Sequence, residues 1–266
     1  MGGPNAVLSA LERGQTVLGT FIMEFRTPGI GALSASAGAD FVFFDMQHTG
    51  WSVGDIAPSL WGCSAAGVPA GIRVPAAVPW MIGAALDTGA ELIMVPAVES
   101  AAHARAIVAA TRYPPLGERA VTFNVASDAY QPPASPRIEL ESRNREVAVF
   151  AQIETREGLD NVEEIAATDG IDVLWVGDND LAASLGVAGE FTHPEYLGAL
   201  NRVAAAAAAS GKTAGFTTAS PAAAAGMLTR GYRALCCGND IKVFQNALSA
   251  GIADFRESAR AFTDSK

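Results

Sequence analysis

The chain has 266 residues, of which 50% are hydrophobic and 17% are charged, and its formal net charge is −10. This length can bury a large core, and the composition is typical of globular rather than disordered proteins. The acidic charge argues against a nucleic-acid partner, because such proteins carry a basic surface. The longest apolar run, the alanine tract at 203–210, is far shorter than the ~20 residues that a membrane helix needs.

The N-terminus and the cysteines predict a cytoplasmic location. Residues 1–14 lack the basic start, apolar stretch and small-residue cleavage site of a secretory signal peptide. The three cysteines, Cys63, Cys236 and Cys237, are an odd number without metal-ligand spacing. We therefore expect reduced thiols in a reducing compartment.

Short apolar segments alternate with alanine-rich helical segments along the chain. The sequence predicts eight strands, at 16–24, 41–46, 70–74, 91–98, 147–154, 172–178, 213–218 and 232–238. It predicts helices between and after them, at 28–39, 52–67, 79–90, 100–113, 155–168, 195–210, 220–231 and 239–262. Residues 114–145 are predicted to form one long irregular loop.

Helix ends and strand composition together predict the fold class. Ser100 and Thr155 stand where N-caps are expected, and Gly67 and Gly231 where helices end. Strands that are apolar on both faces and alternate with helices require a parallel sheet covered by helices. Eight such units predict an α/β protein with a (β/α)8 barrel, as a single domain over residues 1–266. An open doubly wound sheet is the alternative, although no strand is followed by a glycine-rich nucleotide-binding motif.

Polar side chains follow several predicted strands at their carboxyl ends, where barrel enzymes carry their catalytic groups. In chain order these are Asp45, Gln47 and His48, then Arg73, then Gln152 and Glu154, then Asp178 and Asp180.

Glu154 and Asp180 follow neighbouring strands, so their carboxylates can converge on one point. A divalent cation would remove the repulsion between them, and an open set of oxygen ligands suits Mg²⁺ or Mn²⁺. Alternatively, Glu154 only caps the helix that begins at Thr155, and Asp178 or Asp180 caps the next helix.

His48 and Arg73 are candidates for acid–base chemistry and for oxyanion binding, respectively. Asp45 could fix the tautomer of His48 and raise its basicity, although a single histidine after a strand is often structural. Arg73 could bind a carboxylate or an enolate oxygen, or form a structural ion pair. None of the three lysines ends a predicted strand, so a Schiff-base mechanism has little support.

Five segments follow one another along the chain: FDMQHTG, LDTGAELIMVPAVESAAHA, TRYPPLGER, VAVFAQIET and GDNDLAASLG. In this order they resemble the HpcH/HpaI aldolases, and the resemblance extends over residues 17 to 240. Members of this family are metal-dependent pyruvate aldolases, typified by 4-hydroxy-2-oxoheptanedioate aldolase and 2-dehydro-3-deoxyglucarate aldolase. The resemblance implies a barrel whose last helix is exchanged with a neighbouring subunit, in a hexamer built as a trimer of dimers.

The resemblance also implies a role for each candidate residue and a reaction. Its metal ligands correspond to Glu154 and Asp180, with Mg²⁺ or Mn²⁺ as the ion and Co²⁺ as a third candidate. The remaining roles are a base, His48, supported by Asp45; an enolate-binding Arg73; and Gln152 and Gly177 in the pyruvate site. His48, or a metal-bound water that it activates, would take the C4 hydroxyl proton of a 4-hydroxy-2-oxo acid. Cleavage of the C3–C4 bond would then give pyruvate and an aldehyde.

The chain departs from the family pattern at several positions. Gln47 replaces a common glutamate, and GDND replaces G-P-x-D, which places Asp178 beside the metal strand and leaves a swap with Asp180 open. Residues 121–136 lack the usual arginine and aromatic-glycine pattern on the aldehyde side. The alternatives are a metal-dependent 2-oxo acid decarboxylase or other carbon–carbon lyase, and a barrel that only binds metabolites.

Overall fold

The computed structural model describes residues 5–218 and 220–264. Its eight strands are β1 Val17–Ile22, β2 Phe41–Asp45, β3 Ala70–Arg73, β4 Leu92–Val95, β5 Ala148–Ile153, β6 Val173–Val176, β7 Thr213–Thr217 and β8 Tyr232–Asn239. All pair in parallel with their sequence neighbours, and β8 pairs with β1 to close the barrel. The predicted (β/α)8 barrel is therefore confirmed, and the open-sheet alternative is wrong.

The described helices surround the barrel. They are α1 Ala6–Glu12, α2 Ile30–Ser36, α3 Val53–Ala66, α4 Pro79–Asp87, α5 Ala101–Thr111, α6 Pro136–Glu146, α7 Arg156–Asp160, α8 Val162–Ala166, α9 Asp178–Ser184, α10 Pro194–Ala209, α11 Pro221–Thr229 and α12 Asp240–Asp264.

Three helices were not predicted, and one predicted helix is divided. We did not predict α1, α6 or α9, and α7 and α8 replace the single helix expected at 155–168. The expectation of an irregular 114–145 segment was thus wrong over α6. This helix has a strongly polar sequence, and its ion pairs Arg137–Glu141 and Arg143–Glu139 support it in place of an apolar stripe.

The predicted helix ends are confirmed. The Ser100 hydroxyl accepts a hydrogen bond from the N–H of His103, and the Thr155 hydroxyl accepts one from Gly158. Gly67 caps α3 in the left-handed conformation with a φ of 71°. Gly231 lies two residues beyond the last residue of α11 with a φ of 99°.

Aromatic side chains fill the interior of the barrel. Phe21, Phe43, Phe150 and Trp175 contact one another with ring centroids 5.0 to 6.4 Å apart. At the amino ends of the strands α1 closes the barrel, and its Val7 packs into the same core. Because this interior is filled, an open site can form only above the rings, at the carboxyl ends of the strands.

The last helix differs from the others because its apolar face is uncovered. Of its residues only Asp240 is buried, while Phe244, Leu248, Ile252 and Phe255 are exposed at a spacing of three or four. This spacing makes α12 amphipathic. No helix of the described residues is both long and apolar enough to cross a lipid bilayer.

Candidate active site

A cavity of about 240 Å³ opens at the carboxyl ends of the strands. Its walls come from the ends of β1, β3, β5, β6, β7 and β8 and from the loop after β2. It is lined by Phe21, Met23, His48, Arg73, Gln152, Trp175, Val176, Gly177, Asp178, Asn179, Asp180, Thr217, Gly238 and Asn239. Most of the polar residues predicted from strand ends therefore share one cavity.

Asp45 holds Arg73 rather than His48. The register of β2 and β3 places the two residues side by side. Arg73 Nε donates to Asp45 Oδ1 at 2.9 Å, and Nη2 donates to Oδ2 at 2.7 Å. The N–H of Gln47 also donates to Asp45 Oδ1, at 2.9 Å. Within the described residues no hydrogen bond joins Asp45 to His48, so the expected contact between them is wrong.

Arg73 is held by a contact with an aromatic ring as well as by its ion pair with Asp45. Its Cζ atom lies 4.9 Å from the centroid of the Phe21 ring, in the aromatic layer of the barrel. The Asp45 side chain is fully buried and that of Arg73 is 12% exposed. The guanidinium is thus oriented before any ligand arrives.

His48 lies on the exposed side of the cavity, in the bend that follows β2. In the described part of the chain its imidazole makes no hydrogen bond. The neighbouring Gln47 has a buried side-chain oxygen that finds no hydrogen-bond partner among residues 5–218 and 220–264. The imidazole can therefore reach a ligand from the open side, unlike the buried carboxylate of Asp45.

Glu154 directly follows β5 and is held by two donors. Its Oε1 accepts the N–H of Ala97 at 2.8 Å, and its Oε2 accepts the side-chain amide of Gln152. Burial raises the pKa of Glu154, and the negative charge of Asp180 raises it further. Since Thr155 caps α7, the interpretation of Glu154 as a helix cap is wrong.

Gly177 brings the backbone after β6 against these side chains. A Cβ atom here would overlap Glu154 Oε2 and would lie 2.7 Å from Gln152 Nε2. The next residues, Asp178 and Asp180, occupy the first turn of α9, whose N-cap is Gly177. Burial raises the pKa of Asp178, and Asp180 adds to this effect. Two carboxylates, Asp178 and Asp180, thus line the cavity, and that of Glu154 lies against Gly177.

Several features of the site were missed from the sequence. Ala97 has a φ of 49°, which turns its N–H toward Glu154, and no residue pattern signals such a backbone conformation. Asn239 is the last residue of β8 and Asp240 follows it, so the strand-end rule could have identified both. Met23 and Thr217 also line the cavity, from the first and seventh strands.

The residues available to a metal ion form a small set. Among residues 5–218 and 220–264, no group of three or more His, Cys, Asp or Glu side chains is placed to hold an ion. Glu154 and Asp180 are the pair predicted from neighbouring strands. Two oxygen ligands would leave several coordination positions for substrate and water, as Mg²⁺ sites commonly do.

Comparison with known proteins identifies the family. The model of the HpcH/HpaI aldolase/citrate lyase family matches residues 23–247. The chain is 34% identical to a hydroxypyruvate/pyruvate aldolase of Cupriavidus necator, over 97% of this chain and 94% of the relative. It is also 34% identical to a 5-keto-4-deoxy-D-glucarate aldolase of Klebsiella pneumoniae, with coverages of 92% and 94%.

A solved structure agrees with this match. A crystal structure of an HpcH/HpaI aldolase/citrate lyase family protein from Burkholderia cenocepacia superposes with a TM-score of 0.88 at 34% identity. The match covers 95% of this chain and 99% of that one. The resemblance inferred from the ordered motifs is therefore confirmed, and the chain belongs to the HpcH/HpaI aldolase/citrate lyase family of carbon–carbon lyases.

Proposed function

We propose that the protein is a metal-dependent pyruvate aldolase, which reversibly cleaves a 4-hydroxy-2-oxo acid to pyruvate and an aldehyde. The observation that carries this proposal is the placement of Asp180 and the oriented Arg73 in one cavity, with Glu154 hydrogen-bonded to Gln152 of the cavity lining. Two relatives at 34% identity are named as aldolases, one of them for hydroxypyruvate and pyruvate.

The residues present fit a divalent cation. The charges of Glu154 and Asp180 disfavour each other, which a cation between them would relieve. Gln152 Oε1 is buried and has no hydrogen-bond partner among the described residues. The bare backbone of Gly177 lets the Glu154 carboxylate and the Gln152 amide lie where a Cβ would otherwise be. The all-oxygen donor set suits Mg²⁺ or Mn²⁺, with Co²⁺ as a third candidate. When bound, the cation would polarise the keto group and lower the energy of the enolate.

Each side chain has a distinct task in the proposed cleavage. Gln152 and the Gly177 backbone would bind the carboxylate end of the oxo acid. His48 would take the proton from the C4 hydroxyl, so that the C4–O bond becomes a carbonyl as the C3–C4 bond breaks. Arg73 would donate hydrogen bonds to the developing enolate oxygen. Protonation at C3 then yields pyruvate, and the reverse sequence joins pyruvate to an aldehyde.

The test is pyruvate release from 4-hydroxy-2-oxo acids, with EDTA and after restoring Mn²⁺ or Mg²⁺. We expect activity to disappear on chelation and to return with the metal. Glu154→Gln should lose both metal binding and turnover, whereas Glu157→Gln, an exposed glutamate of α7, should keep both. Full activity in EDTA would refute the proposal, and carbon dioxide release without an aldehyde would indicate a decarboxylase.

We also propose that α12 is exchanged between subunits of a hexamer. An apolar groove of about 460 Å³ lies between β1, α2 and the start of α12, lined by Leu18, Leu33 and Phe244 among others. The exposed apolar face of α12 is the matching surface within the chain. Light scattering should give a hexamer, and Phe255→Glu should dissociate it into smaller species.

The three unpaired cysteines support a cytoplasmic location.

A further inference from the structure

Asp240, the first residue of α12, accepts hydrogen bonds from the loop that follows β1. Its Oδ1 accepts the N–H of Met23 at 2.9 Å. Its Oδ2 accepts the N–H groups of Glu24 at 2.9 Å and Phe25 at 2.7 Å. The residue is 7% exposed, and no salt bridge to it is present among the described residues. Three successive backbone donors thus converge on one buried carboxylate.

These contacts exceed what the start of α12 requires. One further hydrogen bond, from the N–H of Ile241 to Asp240 Oδ1, stays within the helix. The helix N-terminus is also capped independently, because Asn239 Oδ1 accepts the N–H of Lys242 at 2.9 Å. Most of the acceptor capacity of Asp240 therefore serves the loop after β1 and not its own helix.

The loop and the end of β8 form one wall of the active-site cavity. Met23 lines this cavity, and so do Gly238 and Asn239, which directly precede Asp240. In the closed barrel β1 and β8 lie across from β5 and β4, and Glu154 directly follows β5. If the oxo acid lies against Glu154, Gln152 and Gly177, the space over β1 and β8 remains for the aldehyde.

The loop after β1 also contacts the segment that carries His48. Arg26 pairs with Asp55 and lies over the ring of Trp51, with 5.9 Å between its Cζ atom and the ring centroid. Trp51 follows His48 by three residues. A displacement of the loop would therefore move the open side of the cavity more than its metal side.

We propose that Asp240 is a positioning residue for the aldehyde half of the site, acting through the backbone of Met23, Glu24 and Phe25. This inference rests on the proposed aldolase function. Asp240→Asn would replace one carboxylate oxygen with an NH₂ group that faces backbone N–H donors and cannot accept their hydrogen bonds. The loop would then lose its fixed position while the residues around Glu154 keep theirs.

The test separates the two halves of the reaction. Exchange of the pyruvate methyl protons with deuterium reports enolate formation without an aldehyde. NMR measures this exchange in a buffer that contains Mg²⁺ and no Mn²⁺. Aldol addition to glycolaldehyde reports the aldehyde half. For Asp240→Asn we expect unchanged exchange but a rise in the KM for glycolaldehyde of about tenfold to a hundredfold, the cost of a misplacement near 1 Å.

Asp40→Asn is the matched control, because Asp40 Oδ2 accepts the N–H of Leu18 at the other end of β1, at 2.8 Å. It should leave both readouts unchanged. Equal losses of exchange and addition in Asp240→Asn, or wild-type values for both, would overturn the positioning role. If Asp240→Asn does not fold, Met23→Ala replaces it: a selective rise in the glycolaldehyde KM supports the proposal, and no rise overturns it. Absence of exchange in the wild-type protein would instead contradict the proposed function itself.

Discussion

Replacing Asp45 by Asn removes the negative charge that holds Arg73 at the mouth of the barrel. The side chain of Asp45 is fully buried, and both of its oxygens accept hydrogen bonds from Arg73. Loss of one partner of a buried ion pair typically costs about 3–5 kcal/mol of unfolding free energy. Asn keeps one acceptor oxygen and the Arg73 side chain is 12% exposed, so we expect the lower end, about 3 kcal/mol.

The same substitution should weaken catalysis at a defined step. A guanidinium without its orienting carboxylate would no longer donate reliably to the enolate oxygen. Loss of one such donor commonly lowers kcat by about a hundredfold to a thousandfold. Denaturant unfolding measures the first effect, and pyruvate deuterium exchange measures the second.

An exposed ion pair provides the control for this buried one. Asp55→Asn, which breaks the exposed pair with Arg26, is the control and should change neither stability nor rate measurably. A stability loss below about 1 kcal/mol in Asp45→Asn would refute the reasoning.

Three further substitutions or treatments test the remaining contacts. Gly177→Ala should weaken metal binding in a calorimetric titration and cost about 1–3 kcal/mol of stability, because its Cβ would overlap Glu154. Gly198→Ala is the control, because a Cβ there meets nothing within 4 Å, and it should have neither effect. Ala97→Gly should raise stability by about 1 kcal/mol, because glycine adopts the φ of 49° without steric strain. Ala97→Pro removes the N–H that donates to Glu154 and should abolish metal binding. Burial raises the pKa of Cys63 to about 12, so its thiol is protonated and unreactive at pH 8. A thiol titration should find no more than one reactive group in the native protein and three after unfolding; a reactive Cys63 would contradict its burial.

The positions of the site residues follow from the sequence because a parallel barrel collects its strand ends at one rim. Apolar strands are recognisable by composition, so His48, Arg73 and Asp180 could be placed at that rim from their spacing alone. The register of neighbouring strands is not encoded in such a pattern. The pairing of Asp45 with Arg73 therefore could not be distinguished from a contact with His48, which is closer in sequence.

Features that depend on backbone conformation or on polar packing could not be predicted from the sequence pattern. Ala97 adopts a left-handed conformation because the surrounding contacts impose it, although alanine itself disfavours it. The helix α6 has few apolar residues, so its periodicity is invisible to a search for an apolar stripe. The ligation of the loop after β1 by Asp240 joins residues more than 200 positions apart, and only the closure of the barrel brings them together.

The charges around the cavity explain why Asp45 matters beyond the position of Arg73. Glu154, Asp178 and Asp180 form no salt bridge within the described residues, and Arg73 is already neutralised by Asp45. A divalent cation would balance two of these three negative charges before the substrate arrives. Arg73 still lowers the pKa of Glu154 and Asp178 through its charge, so it lies within electrostatic reach of both. Without Asp45 it could pair with these carboxylates and compete with the cation, and Asp45→Asn should therefore bind metal more weakly even though it changes no ligand.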